Sequence, residues 1–189
     1  MITIKSLKLR ITSLAGTIVF GISCQTRTFD YENIAIAITS EAKTNLVQKL
    51  TTAIAEGGTK QAIPFCKMNA IGFTNQLGKK HGVELRRITD KPRNFSNSLS
   101  AEEKGIFLEI EKLKTSEGVF PKKTVTSDVS VTVYIPIPVG GLCLQCHGEP
   151  NQEIQKDTLA VLEKEYPGDL AKGYRVGDLR GLFSVKFPK

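Results

Sequence analysis

The chain has 189 residues, 40% of them hydrophobic and 24% charged, with a formal charge of +7. This is the balance of one ordinary globular domain, long enough to bury a core, and it excludes a disordered or fibrous polypeptide. No run approaches the roughly 18 apolar residues of a spanning helix, and the basic pairs Lys79–Lys80, Arg86–Arg87 and Lys122–Lys123 are too scattered for a nucleic-acid-binding tract.

At the N-terminus Lys5, Lys8 and Arg10 precede an uncharged apolar segment, 11–22, and then Ser23 and Cys24. That layout reads as a secretory signal peptide over 1–23, with 24–189 as the single mature domain. Its removal lowers the formal charge to +4. Ser23 directly before Cys24 fits a bacterial lipoprotein signal, in which Cys24 is lipidated and attaches the protein to a membrane. Gly21, standing where such signals usually carry an aliphatic residue, fits ordinary cleavage nearby instead. Both put the mature chain in the periplasm or on the outer face of a bacterial membrane.

Segment 40–56 has helical periodicity through Leu46, Leu50 and Ile54, and Gly57–Gly58 ends it. A second helix is predicted from Thr59 to Lys80, closed by Gly82, with Ala62, Phe65/Cys66, Ala70, Phe73 and Leu77 on its apolar face. A short strand at 83–88 and a loop at 91–100 follow. Segment 101–114 returns to helical periodicity and carries a capping box, Ser100 with Glu103. From Val119 the pattern is β, with Val129, Val131, Val133 and Ile135 alternating against smaller or polar residues. A loop at 140–150, a short helix at 158–165 and a closing strand at 181–187 complete the chain. Helices first and strands later predict an α+β domain, its sheet antiparallel because no helix is available to cross between the late strands.

The loop at 140–150 holds the chemistry. Cys143-Leu144-Gln145-Cys146-His147 is the haem c attachment signature. Two intervening residues space the thiols for the two vinyl groups on one side of the porphyrin, and the next residue, His147, offers an imidazole nitrogen to the iron. Glycines at 140, 141 and 148 leave room for the macrocycle. A Cys143–Cys146 disulfide would resemble a thiol-redox site, but such motifs open a helix in a βαβ unit. A zinc site would recruit Cys66 or His81. Export favours one covalent haem c, since attachment takes place outside the bacterial inner membrane.

For the opposite face of the iron the candidates are Cys66, His81, Met68 and, less suited, a lysine. Cys66 lies mid-helix on an apolar face, where a free cysteine is also a common small hydrophobe. His81 sits at a helix end, where a surface cation is favourable. Met68, two residues from Cys66, faces elsewhere on a helix.

The stretches GGTKQAIPFC (57–66), LRRITDKPRN (85–94), CLQCHG (143–148) and YPGDLAKGYRVGDLRGLFSV (166–185) resemble a family of single-haem c-type proteins with a PAS-like fold. These occur alone in bacterial periplasms or as sensor modules of signalling proteins. The resemblance spans residues 42–187. Phe95 stands where the family often has proline, and Ile88-Thr89-Asp90 departs from its usual Thr-Ser-Leu. It implies a PAS-like antiparallel sheet with N-terminal helices, and an iron held between His147 and the Cys66 thiolate. Arg86, Arg87 and Arg93 become candidates for the haem propionates, although alternation along a strand keeps Arg86 and Arg87 from both facing the haem easily.

The expected function is a redox or small-ligand sensor, with a diatomic gas as ligand or a separate protein as redox partner. A periplasmic electron-transfer cytochrome is the alternative. An enzyme is the least expected class, since no acid–base constellation flanks CLQCH and two strong axial ligands leave no open iron position.

Overall fold

A computed structural model of the chain describes residues 29–189. The predicted signal peptide over 1–23 and the lipidation candidate Cys24 lie outside the described residues. Helix α1 spans Tyr31–His81. It starts nine residues before the predicted Ser40, because the Asp30 side chain accepts from the Asn33 N–H at 3.1 Å and supplies an N-cap. Ala35, Ile38 and Ala42, spaced at three and four residues, are buried on its inner face.

α1 is not straight. Gly57 (φ −159°, ψ 23°) and Gly58 (φ 69°, ψ −171°) leave helical geometry, dividing it into arms 31–56 and 59–81. The break predicted there is also a reversal. Glu41 bonds Lys80 Nζ at 2.7 Å and His81 Nε2 at 2.9 Å, residues that an unbroken helix would hold roughly 60 Å away at 1.5 Å per residue. The arms thus form an antiparallel hairpin, ended by Gly82 in the left-handed region, its N–H on the Gly78 and Lys79 carbonyls.

Four strands follow: β1 (Glu84–Ile88), β2 (Lys123–Thr126), β3 (Ser130–Pro138) and β4 (Leu179–Pro188). They form one antiparallel sheet in the order β1-β4-β3-β2. Odd-numbered residues Leu85, Val133, Phe183, Val185 and Phe187 pack against the α1 hairpin. Even-numbered Ile88, Tyr134 and Leu182 pack against Ile106, Phe107 and Ile110 of α2 (Ala101–Lys112). Val185 and Leu182, fully buried on opposite faces, each contribute roughly 1.5–3 kcal/mol. The predicted capping box is formed: the Glu103 N–H donates to Ser100 Oγ, and the Ser100 N–H to Glu103 Oε2.

The chain then makes a one-turn helix, α3 (Leu144–His147), and a longer one, α4 (Lys156–Glu165). α4 runs alongside the second arm of α1. Lys60 meets Asp157 and Lys67 meets Glu165, each at 3.2 Å, and the Thr59 and Thr158 hydroxyls share a hydrogen bond. Between the two helices Ile63, Ile154 and Leu162 are buried, with Cys146 and Tyr166 packed against them.

Candidate functional site

The CLQCH segment is a helical turn rather than the predicted open loop. A 3-10 turn over Gly141–Cys143 leads straight into α3, with the Cys143 N–H on the Gly140 carbonyl (3.0 Å) and the Gly148 N–H on the Leu144 carbonyl (2.9 Å). The turn brings Cys143, Cys146 and His147 into one short stretch, with Cys143 packed against Val139, Ala171 and Tyr174 and Cys146 against Ile63, Ile154 and Leu162. The three described cysteines are all free thiols.

The segment after α4 wraps this turn. Gly173 N–H donates to the Gly148 carbonyl and Tyr174 N–H to the His147 carbonyl, both at 2.9 Å. A side chain at Gly148 would meet Glu153 Cβ at 2.7 Å and the Leu144 carbonyl at 2.8 Å, so only glycine fits there.

His147 Nδ1 lies 2.7 Å from the Ala171 carbonyl oxygen. A carbonyl only accepts, so Nδ1 carries the hydrogen and Nε2 keeps its lone pair. Burial, reinforced by the charges of Arg93 and Arg180, holds the imidazole pKa well below its ordinary 6.5. The ring is thus neutral at pH 7, with Tyr174 edge-on at 6.3 Å between centroids.

Cys66 follows the buried Ile63 by one turn and so faces the same side of α1. There it lies within electrostatic range of Cys146, Tyr166, Arg87 and Arg93. Burial pushes the Cys66 thiol up from its ordinary value, while Arg87 and Arg93 pull it down. Burial likewise raises Cys146 and pushes Tyr166 up to about 12. The other candidates for a second ligand lie elsewhere. Met68 is 75% exposed, and His81 is paired with Glu41 at the far end of the hairpin. Among the described residues no three His, Cys, Asp or Glu side chains gather as a metal-ion site.

The three predicted arginines have three different placements. Arg86 is on the α2 face, its Nη1 donating to Glu103 Oε1 at 2.9 Å, away from the cysteines. Strand alternation accounts for this correction. Arg93 stands at the site but is committed to protein groups. Its Nε donates to Asp169 Oδ2 at 3.1 Å, and its Nη2 to the carbonyls of Cys146 and Ala171. Arg87 is on the α1 face of β1, paired through its backbone with Phe183, and its side chain makes no hydrogen bond among the described residues.

Sequence reasoning missed Asp169, Tyr174 and Arg180. Asp169, 1% exposed in its side chain, takes the Arg93 charge on one oxygen and the Ala171 N–H (2.8 Å) on the other. This fixes the carbonyl that orients His147. Arg180 is aimed by a register slip. Ile137 pairs with Gly181 and Pro138 with Leu179, which leaves Arg180 unpaired in a bulge. Its guanidinium stacks on Tyr174 and donates to Thr89 Oγ1 and the Lys91 carbonyl. The aspartate and the tyrosine lie in YPGDLAKGY, a stretch without strand or helix periodicity.

No helix among the described residues is long and apolar enough to cross a membrane. Residues 25–188 match a family model described as Tll0287-like. A search of curated proteins finds no match. The crystal structure of the cyanobacterial heme-protein Tll0287 superposes with a TM-score of 0.63 at 23% identity, covering 85% of this chain and 98% of that one. The shared fold is the PAS-like α+β arrangement, an antiparallel sheet with helices packed on it.

Proposed function

The chain belongs to the Tll0287-like family, and from that footing we propose that it is an exported c-type haem protein serving as a redox or small-ligand sensor. The observation that carries this reading is the helical turn presenting Cys143, Cys146 and a neutral His147 together, with Nε2 of the histidine left free. The residues fit the group. Cys143 and Cys146 would hold one haem covalently, and His147 Nε2 and the Cys66 sulfur would be donors to its iron. When bound, the haem supplies one-electron exchange at its iron.

The chain's own residues govern how that exchange is used. Cys66 must lose a proton to ligate, and Arg87 and Arg93 favour the thiolate against the burial that opposes it. With a thiolate and a histidine as donors, a bound haem would favour the ferric state and a low potential. The arm bearing Cys66 runs on into β1, its end closed by the Val83 N–H on the Gly78 carbonyl (3.0 Å), so a change at Cys66 would have a continuous path to the sheet. That continuity favours sensing, with a separate protein or a diatomic gas as partner. The alternative, periplasmic electron transfer, is supported by the partial exposure of the site, since Cys66, Cys143 and Cys146 are all only half-buried. Export, and lipid attachment through Cys24, rest on the N-terminal pattern alone.

Expression with c-type maturation machinery tests the reading. Haem should stay with the chain through denaturation, and Cys66→Ser should change the low-spin ferric paramagnetic spectrum. Haem released on denaturation refutes covalent attachment, and an unchanged spectrum in the variant refutes Cys66 ligation. Carbon monoxide or nitric oxide binding after reduction, with the midpoint potential, separates sensor from carrier.

A further inference from the structure

Phe95 follows Arg93 by two residues, 62% exposed and outside every apolar cluster of the described residues. Its backbone is nonetheless fixed. In the 3-10 turn Phe95–Asn97 the Ser98 N–H donates to the Phe95 carbonyl at 3.0 Å. Asn94 Oδ1 takes the Ser96 N–H at 3.0 Å and the Ser96 hydroxyl at 2.6 Å. The Thr89 N–H donates to the Asn97 carbonyl at 3.0 Å, which ties the turn to the end of β1.

The ring of Phe95 lies on Gly168. A Cβ at Gly168 would stand 2.8 and 2.9 Å from Phe95 Cε2 and Cζ, so the far edge of the ring occupies the place of a side chain. Residues 166–169 form a β-turn, closed by the Asp169 N–H on the Tyr166 carbonyl at 3.0 Å. Gly168 is not among the glycines with positive φ. Its backbone would accept any residue, and it is the ring that uses the missing side chain.

This turn leads directly to the group that orients His147. Residues 168–171 are held one after another by the segment 92–95. Phe95 covers Gly168, Arg93 donates to Asp169 and to the Ala171 carbonyl, and the Leu170 N–H donates to the Pro92 carbonyl at 3.2 Å. The Ala171 carbonyl in turn accepts from His147 Nδ1 at 2.7 Å.

We propose that Phe95 is a positioning residue of the site, its ring clamping the 166–169 turn and so holding the Ala171 carbonyl in place for His147. The clamp rests on the reading of His147 as the nitrogen donor of the site, but it acts on the fold and is present without haem. Because the ring lies outside the core, its removal loosens a short stretch rather than the whole domain.

Amide hydrogen exchange and proton–nitrogen spectra of the full chain before haem attachment provide the test. Leucine lacks the two ring atoms that meet Gly168. Phe95→Leu should therefore speed exchange at Asp169, Leu170 and Ala171 by about tenfold, while amides of β3 and β4 keep their rates. The Nδ1 proton signal of His147 should move upfield, as it does when such a bond lengthens. Gly168→Ala, which pushes the ring aside, should give the same two changes. In the double variant the alanine should add nothing further, since the contact is already gone. Unchanged rates at 169–171 overturn the proposal, and so does full additivity in the double variant. An unmoved His147 signal overturns it even where the amides exchange faster, because a merely structural contact would loosen the turn alone. Should Phe95→Leu fail to fold, Gly168→Ala carries the same expectation and the same refutation. A chain that shows these changes but never acquires haem overturns the haem reading and leaves the clamp standing.

Discussion

His147 and Ala171 are joined by a 2.7 Å hydrogen bond from the imidazole Nδ1–H to a backbone carbonyl. Through it the protein fixes which ring nitrogen carries the hydrogen and which keeps its lone pair. Nitrogen-15 spectra of the haem-free protein at pH 7 should therefore show His147 protonated at Nδ1 and bare at Nε2. The opposite tautomer would refute the arrangement.

The Arg93–Asp169 pair should dominate the local stability. Arg93→Ala leaves a carboxylate, 1% exposed in its side chain, without its cation and removes the donor to two carbonyls. Loss of one member of a buried pair costs about 3–5 kcal/mol. Urea unfolding should show that loss, with Arg93→Lys falling between wild type and alanine because the charge stays and the fork goes.

Gly58 and Gly72 should respond oppositely to alanine. Gly58 has φ 69° and ψ −171°, a region essentially reserved for glycine, and alanine there should cost about 1–3 kcal/mol. Gly72 lies within the second arm of α1 with open space where a Cβ would stand. Alanine there should stabilise by roughly 0.5–1 kcal/mol. Thermal melts of the two variants check both signs.

Glu41 makes the hairpin sensitive to acid. Hydrogen bonds from Lys80 and His81 hold its carboxyl below the ordinary 4.5. The depressed value means the folded state favours the ionised carboxylate. Its contribution is therefore present above pH 4.5 and is lost as pH falls through the folded value. Glu41→Gln should narrow the difference between urea midpoints at pH 6 and pH 3. An unchanged difference would show that the tie contributes nothing.

Local signals in the sequence were enough for much of the fold. Gly57–Gly58, Gly82 and the Ser100–Glu103 box act within a few residues, and each marks an element end in the structure. Alternation likewise kept Arg86 and Arg87 on opposite faces. The start of α1 was obscured because the isoleucines at 34, 36 and 38 alternate like a strand, and the deciding group is a single cap, Asp30. Arg180 was hidden for a different reason. By parity it belongs on the α2 face with Leu182, and only the slip between β3 and β4 turns it. Nor can the partner of Arg93 be read from its own strand, since Asp169 lies 76 residues away.

The position of β4 has a consequence in time. It lies between β1 and β3 yet follows CLQCH in the chain, so β1 cannot join the sheet until residues well beyond the two thiols have been made. The wrap of 166–178 belongs to that same late stretch, so until it is made the carbonyls of His147 and Gly148 lack the Tyr174 and Gly173 N–H groups that hold them. Strand order thus ties completion of the sheet and completion of the CLQCH turn to the same last residues of the chain.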